Sequence, residues 1–584
     1  MRSGHLNPCR INLPRRILRP PSLLYSGSPT PRQFSRKSPR LLLAAHRNIP
    51  RPQLPFLYPS TQGSPSGQQI HRLFSISANG KRFIKDTAKN TVKFTILIWI
   101  GVTSVSTLSL GILSERQERA FPSPHEWSFY TRFRFRRGRW FEIPENNEDI
   151  GFPNWARLHD EYAIALRRLE DPNVDGEGIV VQEEGALLVP VLGTSGFDLT
   201  SKSEEWRQGY YEVLMGMARA SERLEGWVAD KGRNQVWGPE FIASPSNPRP
   251  KATPPGMTPP PNEEDQCVVA DPPENFYFRI LTSTGFTTHQ RVTAALGYAD
   301  WLSFKKLNES AEEMYKWALD IAIAGLPTPE HLSVIDTNTA VISGSAPKDT
   351  ITPNLVIAAT SLATFYASLG NVTSALPIFI SILRARLSAE PGPAAPRAPT
   401  YDSSLIGTIT SLFNEPAYPP LPPTGNEPLR RREEDRCDEA ALKNYIGEIL
   451  FATAGASPTQ RRQGLHWVRD GVSTSKIAQS FEDIEKDAAL RKKCEQCEEV
   501  GLESWGKMMT FLAAEAREKR DSVKAGGLKN LGWKISGMEQ LDKEVEDLED
   551  EEEGVTMRLN KLRGKMQREE YDEMDRKYAR TFAF

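Results

Sequence analysis

Two cysteines separated by two residues are the pair in this chain whose spacing could support metal binding or redox chemistry. Cys494 and Cys497 stand in RKKCEQCEEV, and this spacing serves zinc sites and redox-active dithiols. A zinc site needs a second pair of ligands, and the other cysteines, Cys9, Cys267 and Cys437, do not form one. A thioredoxin-like dithiol follows a strand, whereas this segment is charged and helical in pattern. We therefore favour two semi-buried residues on one helix face, with a redox pair at Cys494 and Cys497 as the alternative.

No other pattern in the sequence forms a catalytic constellation. The eight histidines are scattered, and the HExxH, GxSxG, phosphate-loop and dinucleotide-binding patterns do not occur. Pairs of carboxylates are frequent in the C-terminal tail. We expect this tail to be solvated, so no shared pocket would shift their pKa values. The sequence therefore predicts a protein that is not an enzyme. It predicts no catalytic, metal or cofactor-binding residues, no cofactor, no nucleic acid and no small-molecule substrate.

The N-terminal region has the composition of a targeting segment. Residues 1–93 contain 17 Lys and Arg but one acidic residue, although the whole chain has a net charge of −1. Basic, serine-rich and nearly acid-free sequence is typical of a mitochondrial transit peptide, which we assign to residues 1–74. HRLFSIS resembles a matrix processing site and places cleavage between Phe74 and Ser75. The alternative is a basic tail that binds RNA or anionic lipid.

An uncharged stretch follows this leader. Residues 94–114 read FTILIWIGVTSVSTLSLGILS, which is long enough for a helix to cross a bilayer. Residues 75–93 are rich in Lys, so the positive-inside rule places this short segment in the matrix. The remainder would then face the intermembrane space, in a single-pass protein of the mitochondrial inner membrane. A sorting segment that is later cleaved is the alternative.

Residues 115–145 form a basic and aromatic segment next to the predicted span. Its centre, FYTRFRFRRGRW, alternates aromatic residues with arginines. Two interpretations stay open. The segment contacts a surface of anionic lipid, or it is an amphipathic strand or helix packed on the soluble domain.

The remainder predicts an all-α fold, with helical regions at 146–243, 275–386 and 437–526. Within 275–386, and more loosely within 437–526, the apolar and small residues recur with the spacing of tetratricopeptide (TPR) repeats. Such helix pairs bury their apolar faces by stacking on neighbouring pairs, so we expect a TPR-like α-solenoid behind a single transmembrane helix. The predicted packing positions are Ala299, Ala311, Tyr315, Ala318, Tyr366, Gly370, Ala375 and Phe379.

Three segments interrupt or follow this array. Residues 244–274 and 387–436 are rich in proline, which cannot continue a helix, and we assign both as loops. Residues 527–584 are charged and prone to form helix. We expect this tail to be a solvated helix with little core-forming face, and the alternative is an arm that binds a partner.

This layout of leader, single span and TPR-like repeats resembles the TPR-bearing adaptor subunit of the fungal mitochondrial i-AAA protease supercomplex. The resemblance implies a protein-binding adaptor in protein quality control, whose partners are an inner-membrane AAA protease and its substrates. TPR receptors of the outer membrane are a second resemblance, but they lack a cleaved leader. The rival function is a structural or assembly factor of a respiratory or cristae complex, and a CxxC redox protein is a third possibility.

Overall fold

The computed structural model describes five stretches of the chain. These are residues 77–147, 152–181, 196–393, 418–525 and 531–581, without 234, 246, 254–255, 257, 328–330 and 456. The described residues are mostly helical with a few short strands, so the expected all-α class is confirmed at this level. They divide into two compact units between Arg116 and Gln117.

The first unit consists of most of helix α1 (Ala78–Ala120), which contains the uncharged stretch. Within the described part of the chain, this is the one helix that is long and apolar enough to cross a membrane. None of its most apolar window is buried. The hydroxyls of Thr103, Thr107 and Ser109 each donate to a carbonyl one turn earlier, at 2.6–2.8 Å. These bonds satisfy the polar groups inside the helix itself.

The second unit begins with three helices packed in chain order: α2 (Phe129–Glu142), α3 (Trp155–Leu169) and α4 (Glu204–Arg223). Tyr162 of α3 is buried between Gly138 of α2 and Gly216 of α4. A Cβ atom at Gly138 or Gly216 would lie 2.0 or 2.2 Å from the tyrosine ring, so only glycine permits this close approach. The basic and aromatic segment is therefore a helix packed on its own domain, as the second of the two interpretations held.

Short strands occur in regions that the sequence assigned to helices and loops. β1 (Val180–Val181) pairs with β2 (Phe197–Asp198), and β3 (Val228–Asp230) lies between β4 (Val236–Trp237) and β5 (Gln266–Val268). All these pairs are antiparallel. Strand β5 lies inside 244–274, so this proline-rich segment contains ordered structure as well as loop. Strands of two or three residues carry too little periodicity to be predicted from sequence.

Consecutive helices pack against one another through the centre of the second unit. They are α5 (Pro273–Thr282), α6 (Thr288–Phe304), α7 (Asn308–Ala324), the single turn α8 (His331–Val334), α9 (Pro353–Ser368) and α10 (Val372–Ser388). Thr287 caps α6 together with Gln290, and Thr352 and Asn371 cap α9 and α10. A hairpin of β6 (Ile335–Asp336) and β7 (Val341–Ile342) precedes α9.

The second proline-rich segment is only partly described. Its residues 394–417 lie outside the described stretches. On either side, β8 (Glu390–Pro391) pairs in parallel with β9 (Arg430–Arg431), and the Leu429 N–H donates to the Ile351 carbonyl. The described end of this segment is therefore fastened to the helical core.

Helices α11 (Arg436–Thr453), α12 (Pro458–Ala478), α13 (Glu482–Lys486), α14 (Ala488–Ala525) and α15 (Leu531–Thr581) complete the unit. The predicted charged tail is α15, and the expectation that it has little core-forming face is wrong. Val555 and Leu562 of α15 are buried in one cluster with Leu502 and Met509 of α14. The apolar residues of α15 recur on one face among charged neighbours, and this stripe is enough to pack the helix on α14.

Candidate functional site

The predicted repeat positions in the first helix pair lie in its core. Ala299 of α6 and Ala311 and Ala318 of α7 are fully buried, and Tyr315 is buried with its ring 4.8 Å from that of Phe365. Small side chains at these positions permit α6 and α7 to approach closely. In the next pair, Ala375 and Phe379 of α10 are also fully buried.

Gly370 and Tyr366 lie where α9 meets α10. Helix α9 ends at Ser368, and Gly370 has φ +78° in the link to α10. A glycine adopts this left-handed conformation without the steric cost of a Cβ. Tyr366 is partly exposed, and its hydroxyl donates to Glu312 of α7 at 3.1 Å. Burial raises the pKa of Tyr366, and Glu312 raises it further.

A cleft of about 550 Å³ opens beside Tyr366. One wall comes from the β6–β7 hairpin and the other from the first turns of α10. Most of the lining residues carry a hydroxyl, carboxylate or amide group beside apolar surface, and none of them is Lys or Arg. The residues are Asp336, Asn338, Thr339, Val341, Ser343, Tyr366, Thr373, Ser374 and Pro377. We call this the Tyr366 cleft.

Residues with hydrogen-bond acceptors line both walls of this cleft. The Thr339 hydroxyl and the Asn338 N–H donate to the Asp336 carboxylate, and these bonds lower its pKa. On the other wall, Pro377 lies inside α10 and has no N–H. The carbonyl of Thr373, four residues earlier, therefore lacks its usual helical donor. A ligand with N–H donors, such as an extended peptide, matches this lining chemically.

The sequence did not reveal the Tyr366 cleft beyond Tyr366 itself. Asp336 and Thr339 lie in a hairpin between helices, and which helix the hairpin covers depends on tertiary packing. One signal was available. Pro377 interrupts an otherwise regular helical pattern, and such a proline exposes a carbonyl one turn earlier.

The cysteines form a cluster that differs from the CxxC redox pair. A disulfide joins Cys494 of α14 to Cys437 of α11, 57 residues earlier, so Cys494 does not pair with Cys497. Cys437 and Cys494 are buried with Ala478 and Ile484. The alternative of a redox pair at Cys494 and Cys497 is therefore wrong for this structure. A partner so distant in sequence could not be found from the CxxC spacing.

Cys497 keeps its thiol and packs against this disulfide. Its Sγ donates to the Cys437 carbonyl at 3.5 Å. Burial raises the pKa of Cys497, the charge of Asp438 raises it further, and Lys493 opposes them. The thiolate is the reactive form of cysteine, so this environment disfavours nucleophilic chemistry at Cys497.

The arginines of α2 all contact carboxylates of the second unit. Glu118 accepts from Ser123 and pairs with both Arg132 and Arg136, and its side chain is 5% exposed. Burial alone would raise the pKa of Glu118, but the bonds from Ser123 and Arg132 and the charge of Arg136 outweigh it and lower the pKa. The other pairs are Arg134 and Arg137 with Glu161, and Arg139 with Glu142 and Glu212.

The predicted processing site, Phe74 and Ser75, lies outside the described residues. Comparison of the whole chain with protein-family models, curated proteins and solved structures found no match.

Proposed function

We propose that this chain is a membrane-anchored protein-binding adaptor of the mitochondrial inner membrane. Helix α1 crosses the membrane once, the N-terminus lies in the matrix and the second unit lies in the intermembrane space. The helices of the second unit form a TPR-like array that binds segments of other proteins. By the resemblance of layout and repeats, its role is to present substrates to a membrane protease complex or to organise that complex.

The observation that carries the proposal is the Tyr366 cleft beside stacked helix pairs. Asp336, with its carboxylate, and Thr373, whose carbonyl has no helical N–H donor at Pro377, both line this cleft. Peptide backbones bind through N–H donors, so acceptors along a cleft favour an extended segment. The TPR-like arrangement is supported by the burial of Ala299, Ala311 and Ala375 at their expected positions.

Two further features support the membrane and the compartment. Among the described residues, the apolar length of α1 is exposed, which suits a lipid environment. The disulfide between Cys437 and Cys494 favours an oxidising compartment. The intermembrane space meets this requirement better than the matrix or the cytosol.

Topology is tested by carbonate extraction and by protease treatment of intact mitochondria and mitoplasts. We expect the protein to resist extraction, and an epitope after Phe584 to become protease-sensitive once the outer membrane is opened. Extraction into the soluble fraction would contradict the anchor. Protection of the epitope in mitoplasts would contradict the orientation.

The adaptor role is tested by immunoprecipitation from solubilised mitochondria followed by mass spectrometry. We expect an AAA protease or its substrates in substoichiometric amounts, with binding that increases when the substrate is unfolded. Stoichiometric recovery with a respiratory or cristae complex, independent of unfolding, would instead support the structural or assembly role.

The cleft itself is tested with Pro377→Ala, which adds an N–H that can bond the Thr373 carbonyl. We expect a more regular α10 and weaker crosslinking to substrate segments. Pro347→Ala is the matched control, because Pro347 lies outside any α-helix and does not line the cleft. Equal crosslinking by both variants would remove the cleft from the proposal.

A further inference from the structure

Helix α2 retains an exposed aromatic stripe even though its arginines are paired. Phe129, Phe133, Arg137 and Trp140 are spaced by four, four and three residues, so they share one helix face. Phe129 is 68% and Trp140 40% exposed, and Phe133 and Arg137 are partly exposed. We call these four residues the α2 stripe.

The chemistry of the α2 stripe suits the boundary between lipid and water. Trp and Phe concentrate at the headgroup level of a bilayer, and Arg extends its charge toward water from there. The Arg137 guanidinium lies 5.5 Å from the centre of the Phe133 ring. Trp140 packs edge-on against Phe121, at 6.5 Å between ring centres. The stripe therefore presents aromatic surface with one guanidinium stacked on it.

Charge provides little of the attraction, because every arginine of α2 already pairs with a carboxylate of the protein, although Glu118 and Glu161 each serve two arginines. Arg132 and Arg136 contact Glu118, and Arg137 contacts Glu161 at 3.2 Å. Arginines that already pair with carboxylates gain less from anionic lipid than unpaired ones would. Its affinity for a bilayer would come from burial of the aromatic rings, each of which carries about 150–250 Å² of surface.

If α1 is the membrane anchor, the short connection between α1 and α2 limits how far the α2 stripe can lie from the membrane. Eight residues, 121–128, separate the end of α1 from Phe129. Eight residues span at most about 28 Å when fully extended, and the six residues of α1 beyond the uncharged stretch add about 9 Å of helix. A protein partner would have to reach the stripe within this short distance of the bilayer, whereas the bilayer is there by covalent connection.

We propose that the α2 stripe docks on the bilayer surface by inserting its aromatic side chains at the headgroup level, independently of anionic lipid. The inference rests on the proposed anchorage by α1. It adds a second membrane contact, one that fixes the second unit against the lipid surface.

The test uses the full chain in vesicles of phosphatidylcholine with brominated acyl chains, which quench tryptophan fluorescence on contact. Among the tryptophans whose side chains the structure describes, Trp99 and Trp140 are exposed. Trp99→Phe removes the signal of the span. In that background we expect remaining quenching that disappears on adding Trp140→Phe. Trp301→Phe in the same background is the control and should leave it unchanged.

The outcomes separate the stripe from the anchor. Quenching of Trp99 without quenching of Trp140 would overturn the stripe and leave the anchor standing, and the stripe would then be assigned to a protein partner. No quenching at either residue would overturn the anchor as well. Quenching of Trp140 that requires cardiolipin in the vesicle, or that high salt abolishes, would overturn the charge-independent mechanism.

Discussion

Helices α2 and α15 both have charge-rich sequences, but their ion pairs differ in how deeply they are buried. In α2, Arg136 is 3% exposed and meets the buried carboxylate of Glu118. In α15, Arg563 contacts Glu499 and Glu503 of α14, and all three side chains remain partly exposed. Two basic residues of α15, Arg558 and Lys565, do reach buried carboxylates, those of Glu498 and Glu495.

The difference shows that a charge run does not by itself reveal what holds a helix in place. Removal of one partner from a buried pair leaves an uncompensated charge without water, whereas an exposed pair exchanges one solvated state for another. Helix α2 combines buried charge pairs with apolar contacts, such as those of Phe135 in the core. Helix α15 depends on an apolar seam that includes Val545, Leu548, Val555, Leu559, Leu562 and Met566.

The largest effect is expected from Glu118→Ala. The change leaves the buried Arg136 and the neighbouring Arg132 without their carboxylate, and breaking a buried pair in this way costs about 3–5 kcal/mol. We expect faster native-state hydrogen exchange across α2, α3 and α4, and a lower urea midpoint. Glu549→Ala is the control, because Glu549 and its partner Arg517 are both exposed. Equal effects of the two variants would contradict the comparison.

A smaller but still large effect is expected from Leu562→Ala in the seam of α15. Truncation of a buried leucine typically costs about 2–5 kcal/mol, and Leu562 packs against α14 at the edge of its cluster, so we expect the lower end of this range. Hydrogen exchange in α15 should accelerate, while exchange in α2 stays unchanged. Met557→Ala alters a residue that is 66% exposed and should change neither.

The packed face of α15 could have been predicted from the periodicity of its sequence. From Val545 to Met566 the apolar residues of α15 follow spacings of three, seven, four, three and four. Those spacings fit a heptad pattern in which one position, Glu552, is polar. The pattern was present in the sequence, but the density of Glu and Lys around it led to the prediction of a solvated helix. The stretch at 94–114 of α1 contains no charged residues to hide its apolar pattern, and its helical conformation was predicted.

Other features depend on residues that only the fold brings together. Glu161 and Glu212 reach the arginines of α2 from α3 and α4, and Cys437 reaches Cys494 across 57 residues. No local spacing encodes these partners. The same holds for the Tyr366 cleft, where a hairpin lies over α10. In contrast, local sequence was sufficient to predict that Ala311 is buried. It was also sufficient to predict that a helix ends near Gly370.

Acidification should weaken the packing of α2 through Glu118. The pKa of Glu118 lies below its ordinary value of 4.5 in the folded protein. The stabilisation from this carboxylate is therefore complete above 4.5 and is lost as the pH falls through the lower, folded pKa. We expect hydrogen exchange in α2 to accelerate over this acidic range in the native protein. Glu118→Gln should abolish that acid-dependent component, and a persistent component would assign it to another carboxylate.

The smallest effect is expected from Arg563→Ala, and it tests the α15 side of the comparison. The Arg563 guanidinium lies 2.7 Å from Glu499 and 3.2 Å from Glu503, but exposed pairs contribute only about 0.2–1 kcal/mol. High salt should reduce even this difference, because exposed charges are screened. Lys565→Ala is the informative counterpart, since its partner Glu495 is buried. If Arg563→Ala destabilised α15 as much as Lys565→Ala, the burial of the carboxylate would not be what decides the contribution of a charge in this protein.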